Sequence, residues 1–267
     1  MDNDSKQRLI IQLSEALQAQ LGQLTGDRQQ AIEKMQALGA RHDPDALDTL
    51  LTYLLQDENE LLRPLAASRL GEIGNPAVLD KVLPLLRNDP REDVRALAAQ
   101  IAGDIGSDKA VEALCEQLAD DDAAEVRSRC AMALGSIGSA QAVGSLSQAL
   151  QQDSMKQVQQ YAIEALGRIG DTAVVPLLIA TMRENDDKET RTYAAEALGH
   201  IGGDAAIQAL IHTLKNQDFP HIVRYYAAYA LGVSGDERAI APLEAATDDA
   251  HPWVAQMAAE SLATLRS

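Results

Sequence analysis

Apolar residues in this chain recur at helical spacing, and the same pattern returns about every 32 residues. The stretch REDVRALAAQIAGDIGSDKAVEALCEQLADD states the unit in full. Val94, Ala98, Ala99 and Ile101 share one face and predict a first helix from Glu92 to Ala102, stopping at Gly103. Val111, Leu114 and Leu118 predict a second helix ending near Leu118. Between them lies a turn with two glycines, where backbone near a helix C-terminus often needs φ > 0. Ser107 follows as an N-cap, its hydroxyl accepting from an orphan amide. Asn75, Ser139, Asp171 and Asp236 take that place elsewhere, and Gly203 is the weakest of the set.

Six segments carry the beat: LGEIG, AGDIG, LGSIG, LGRIG, LGHIG and LGVSG. Their first glycines are Gly71, Gly103, Gly135, Gly167, Gly199 and Gly232, at intervals of 32, 32, 32, 32 and 33 residues. Paired alanines (Ala98–Ala99, Ala194–Ala195, Ala227–Ala228) put small side chains where helices approach each other. A degenerate unit from Thr25 to Gln56 has Gly39 in register, but His42 where the second glycine belongs. Upstream, Leu9, Ile10, Leu13, Leu17 and Leu21 mark an amphipathic helix. The predicted organisation is an N-terminal capping helix over 1–24, a repeat array over 25–252 and a C-terminal capping half-repeat over 253–267. The fold class is all-α, an α-solenoid of about seven stacked helix pairs with a cap at each end. Composition agrees: 46% of residues are hydrophobic but only 3% aromatic, with leucine and alanine dominant.

Polar residues keep a second register. Asp57, Asp89, Asp121, Asp153 and Asp218 stand at one position of successive units, with Asn185 the exception and Asp249 holding the place before the last helix. Arg63, Arg95, Arg127, Arg191 and Arg224 stand at another, broken by Gln159. Stacking would align them as a structural Asp–Arg ladder, each exposed pair contributing about 0.2–1 kcal/mol. The inter-repeat turns hold 18 acidic and 3 basic residues, so nearly all of the formal charge of −17 gathers along one edge. Such a charge excludes a nucleic-acid footprint and attraction to an anionic membrane. It suits a basic protein partner drawn in by long-range attraction. No run of 18 apolar residues occurs, the N-terminus does not read as a signal peptide, and two cysteines make no disulfide framework. A cytoplasmic protein is expected.

The unit (D)xxVRxxAAxALGxIGDxxAVxxLIxxL resembles the HEAT-like repeat of the phycobilisome lyase type. QVQQYAIEALGRIGDTAVVPLLIATM and IVRYYAAYALGVSGDERAIAPLEAA carry the resemblance best. It covers about residues 57–263, and 25–56 more loosely. The tract Arg224-Tyr225-Tyr226-Ala227-Ala228-Tyr229 is similar to a Tyr-Tyr-Ala-Ala segment of the E-type lyase subunit. Subunits of bilin lyases, phycobilisome-degradation factors and plain adaptors all belong to this type. The resemblance implies that second helices line a concave surface. Their outward positions include Asp80, Pro84, Arg87, Glu112, Glu116, Gln148, Pro176, Arg183, Gln208, His212 and Lys215, a mixed polar set suited to a protein partner.

Candidate chemistry is sparse. His42, His200, His212, His221 and His251 are scattered and none precedes a glutamate, against a di-iron hydroxylase of this fold. Cys115 and Cys130 read as packed thiols, with metal or iron–sulfur ligation as the sharper alternative. Tyr161, Tyr193 and Tyr226 occupy one repeat position, and Tyr225 and Tyr229 beside them are the first candidates for partner contact. The expectation is a non-catalytic scaffold or chaperone binding another protein through Tyr225, Tyr229, Glu112, Glu116, Gln148, Arg183, Gln208, His212 and Lys215. No cofactor, nucleic acid or membrane insertion is expected. The alternatives are a phycobilin lyase or isomerase subunit, for which a bilin and a phycobiliprotein would be the ligand and partner, and an iron–sulfur accessory protein.

Overall fold

The spacing of leucine and alanine folds into helices throughout the described residues. The computed structural model describes Glu33, residues 44–56 and residues 62–266. The expected capping helix over 1–24, His42 and Asp57 lie outside them. Fourteen α-helices and five 3-10 turns are present among these residues, without a strand. They fall into two units, residues 1–73 and 74–267. In the first, α1 (Pro44–Gln56) packs on α2 (Leu62–Ile73). Leu50, Leu51, Leu54, Leu62, Ala66, Ala67 and Leu70 are buried there.

In the second unit, first and second helices alternate. The second helices are α3 (Leu79–Asn88), α5 (Val111–Asp120), α7 (Val143–Gln152), α9 (Val175–Glu184), α11 (Gly203–Lys215) and α13 (Ile240–Ala246). The first helices are α4 (Glu92–Ile105), α6 (Ala124–Ile137), α8 (Lys156–Ile169), α10 (Lys188–Ile201), α12 (His221–Ser234) and α14 (Pro252–Arg266). Each second helix packs against the first helix that follows it, and consecutive first helices pack on one another. The core lies between the two rows, where Val94, Ile101, Leu114, Leu134, Leu166, Leu198 and Leu231 are fully or almost fully buried. This is an α-solenoid.

The glycine turn differs from its sequence reading. The first helix does not stop at Gly103 but runs to Ile105, and Gly106 ends it at φ 70°, its N–H donating to Ala102 O. Gly103 is glycine for another reason: a Cβ there would lie 2.7 Å from Ala133 Cα on the next first helix. One glycine is a left-handed stop, and the other lets two helix backbones touch. The chain then enters a 3-10 turn, capped where Asn75, Ser107, Asp171 and Asp236 side chains accept an amide two residues on. Ser139 makes no such bond, and Gly203 starts α11 directly.

Candidate binding surfaces

Among the described residues, each acidic turn has an Asp or Asn corner soon after a helix end. Asp121 is extended (φ −66°, ψ 134°), its N–H donates to Gln117 O, and its Oδ1 accepts the Ala123 N–H at 2.9 Å. Asp89, Asp153, Asn185, Asn216 and Asp249 accept the amide two residues on in the same way. The corner therefore needs an acceptor oxygen, which Asp and Asn both supply.

Arginines from the preceding first helix use these corners. Arg95 donates to both Asp121 oxygens (2.7 and 2.9 Å) and to Asp89 O (2.9 Å). Arg127 grips Asp153 at 2.7 and 3.1 Å and Asp121 O at 2.8 Å. Arg224 grips Asp249 at 3.1 and 2.8 Å. Expected on an exposed edge, these pairs are buried: the Asp121 and Asp249 side chains keep 2% of their exposure. Burial would raise both carboxyls, but the arginines and backbone amides outweigh it, and the net shift is downward, to about 2 for Asp249.

Two rungs differ from the sequence row. Asp218 stands apart from the ladder: the acceptor at that turn is Asn216, which lies 16 residues before Gly232 where Asp121 and Asp153 lie 14 before Gly135 and Gly167, and Asp218 is exposed. Gln159 and Asn185 have the same 26-residue separation as Arg95 and Asp121, so both neutral replacements fall on one rung. Gln159 donates to Asp153 O at 2.7 Å, and Arg191 donates to Asn185 O. An ion pair at this joint sits further out instead, Lys156 Nζ to Asp187 Oδ1 at 2.8 Å. Arg63 is half-buried on α2.

The edge charge thus divides into two populations. Asp121, Asp153 and Asp249 are neutralised from within by arginine. Asp120, Asp122, Glu125, Glu184, Asp186, Glu189 and Asp248 remain exposed, Asp122 and Glu125 being paired at the surface with Arg95 and Arg129.

On the second helices, Glu112, Gln148, Gln208, His212 and Lys215 are exposed. Gln148 donates to Gln152, and Glu116 accepts Arg87 Nε across α3 and α5 at 2.8 Å. Arg183 is turned into the packing: its Nη2 donates to Thr213 Oγ1 at 2.7 Å and its guanidinium lies 4.3 Å from the Phe219 ring centre. The His212 ring meets the same phenylalanine edge-on. A cavity of about 480 Å³ between α11 and α13 is lined in part by Lys215, Gln217, Pro242 and Asp249.

At the C-terminal end, Tyr225 and Tyr229 are half-buried. Tyr229 donates to Glu196 Oε1 at 2.7 Å; burial, and next the bond to this carboxylate, push its hydroxyl up to about 12. Tyr226 is buried and donates to Lys188 O. Beside them sits a feature read in the sequence only as a cap. Trp253 on α14 is 59% exposed, and its ring makes T-shaped contacts with His221 and His251, which stack at 3.8 Å and 4°. Its signal in the sequence was its being the sole tryptophan.

Cys130 is fully buried, which pushes its thiol well above the usual range; Cys115 is half-buried and also raised, first by burial. Such thiols are packing groups. Among the described residues no three of His, Cys, Asp and Glu are placed to hold a metal ion, and no helix is long and apolar enough to cross a membrane.

A family model for HEAT repeats matches residues 16–96, 79–156 and 143–221, and one for the PBS lyase HEAT-like repeat matches residues 223–249. Among solved structures, the complex of CpcE and CpcF of phycocyanin lyase from Nostoc sp. is 25% identical, with a TM-score of 0.51 over 81% of this chain and 86% of that one. YibA of Escherichia coli is 20% identical, with a TM-score of 0.55 over 98% and 93% of the two chains, and speaks to the fold alone. No curated protein matches the chain.

Proposed function

Because the chain belongs to the family of HEAT-repeat proteins, we propose that it is a non-catalytic scaffold or chaperone that binds another protein along its concave second-helix face and acidic edge. The observation that supports this reading is the set of exposed polar side chains on the second helices, Glu112 on α5, Gln148 on α7 and Gln208, His212 and Lys215 on α11. A broad polar surface of this kind suits a protein partner better than a small molecule. The exposed acids at 120–125 and 184–189 favour a basic one by steering its approach. The reading places the protein in the cytoplasm, where its free cysteines stay reduced. Crosslinked pull-down from native cells tests it, comparing wild type with Glu112→Lys/Glu116→Lys and with Lys215→Glu. Loss of a specific partner in the variants is expected. Recovery of no partner, or of the same partner by every variant, sinks the reading.

A second reading, a phycobilin lyase or isomerase subunit acting on a phycobiliprotein, draws on the likeness to the CpcE–CpcF complex and on the PBS lyase HEAT-like match, which spans Tyr225 and Tyr229. A bilin would then be the ligand. Chromophore attachment to an apo-phycobiliprotein, measured with and without this chain and a candidate partner subunit, decides it; an unchanged rate rejects it.

A further inference from the structure

A furrow runs along the seam between α12 and α14. Its upper part, about 290 Å³, is lined by Lys188, Ile222, Tyr225, Trp253, Met257 and Glu260. Its lower part, about 260 Å³, shares Met257 and Glu260 and continues past Tyr229 and Val233 to Thr264. The walls are mostly apolar, and Trp253 stands at the upper rim more than half exposed. From Trp253 to Thr264 the seam follows eleven residues of helix, about 16 Å or three turns. That length matches the apolar stripe of a short amphipathic helix.

Charge selects the occupant. Glu260 lies exposed at the middle of the furrow, and its carboxylate accepts the neutral amide of Gln256 at 2.8 Å. Glu196 lies beside Tyr229 as its hydrogen-bond acceptor. Lys188 at the upper end is the one basic residue in the lining. A second copy of this chain, at a formal charge of −17, would meet like charge across the seam. We propose that the furrow docks an amphipathic helix of a partner protein carrying lysine or arginine beside its apolar stripe, with Trp253 and Met257 as anchors and Glu260 as the counter-charge.

This rests on the scaffold reading but is tested apart from it. The chain holds a single tryptophan, so intrinsic fluorescence reports on the furrow directly. The probes are a helical peptide of about 14 residues, with leucine at i, i+3, i+4 and i+7 and lysine flanking, and its glutamate-for-lysine counterpart. The lysine peptide should shift the Trp253 emission and bind at least about tenfold more tightly than the glutamate one. Glu260→Lys, an exposed change, should erase or invert that preference, and Trp253→Ala should weaken binding read by anisotropy of a labelled peptide. Equal binding of the two peptides, no emission change with either, or an unaltered preference in Glu260→Lys overturns the proposal. So does an emission shift that depends on protein concentration without peptide, which assigns the furrow to a second copy. A failed furrow alongside partner loss in the Glu112, Glu116 and Lys215 variants would leave the scaffold reading standing.

Discussion

Arg95 is tied to three groups at once, the Asp121 and Asp122 carboxylates of the next corner and the Asp89 carbonyl of its own. Removing one member of a buried pair leaves the other desolvated and unpaired. Arg95→Ala should therefore cost about 3–5 kcal/mol, while Arg87→Ala, which breaks an exposed pair, should cost less than about 1 kcal/mol. Denaturant unfolding of both variants checks the contrast. Asp249 gives the ladder a pH signature. Its carboxyl sits at about 2 when folded against about 3.9 unfolded, so the group contributes stability above pH 4 that is lost as pH falls through 2. The contribution is roughly 2–3 kcal/mol, and Asp249→Asn should flatten the stability curve over that window. The Asp and Arg rows were legible from spacing alone, but their burial was not. Burial depends on the corner folding back beneath the preceding first helix, which the linear pattern does not encode. Arg183, expected on the outward second-helix face, differs for a related reason: Phe219, the only phenylalanine, draws it into the packing.

At the scale of elements, the seam between first helices rests on glycine meeting alanine. Gly135→Ala would put a Cβ 2.8 Å from Ala165 Cα, on backbone that has no room to yield. A loss of about 1–3 kcal/mol is expected, in part recovered by adding Ala165→Gly, and thermal melts of the single and double variants measure both. Sequence pattern located these glycines and misassigned the first of each pair, because a helix stop and a close helix crossing select the same residue. The joint between α8 and α10 differs by its neutral rung. Asn185→Asp alone would place a carboxylate opposite Gln159 and near Asp187 and Glu189. It should destabilise, and Gln159→Arg added to it should restore stability, with a coupling of about 1–3 kcal/mol by double-mutant cycle. The C-terminal surface was half legible: Tyr225 and Tyr229 were singled out, whereas Trp253 belonged to a half-repeat whose outer side has no counterpart earlier in the chain.

At the scale of the array from residue 74 onward, the units 92–123 and 124–155 present the same corner and the same seam to the units that follow them, so the fold should tolerate loss of one of them. Deleting residues 124–155 keeps Arg95 within reach of Asp121 and brings Ala165 to the place of Ala133 opposite Gly103. The shortened protein is expected to remain fully helical by circular dichroism, whereas deleting residues 124–139 should unfold it. The uneven ladder has a mechanical side as well. A molecule pulled along its row of helices carries the load through one joint after another, and joints fastened by a buried arginine clamp resist longest. The α8–α10 joint lacks that clamp, its Gln159 reaching only the Asp153 carbonyl of its own corner and the surface pair Lys156–Asp187 spanning it. The α10–α12 joint lacks it too but is tied by Tyr226 and Tyr229, so an extending force would first open the array at α8–α10. The units before it, tied through Arg95 and Arg127, would come away as one piece.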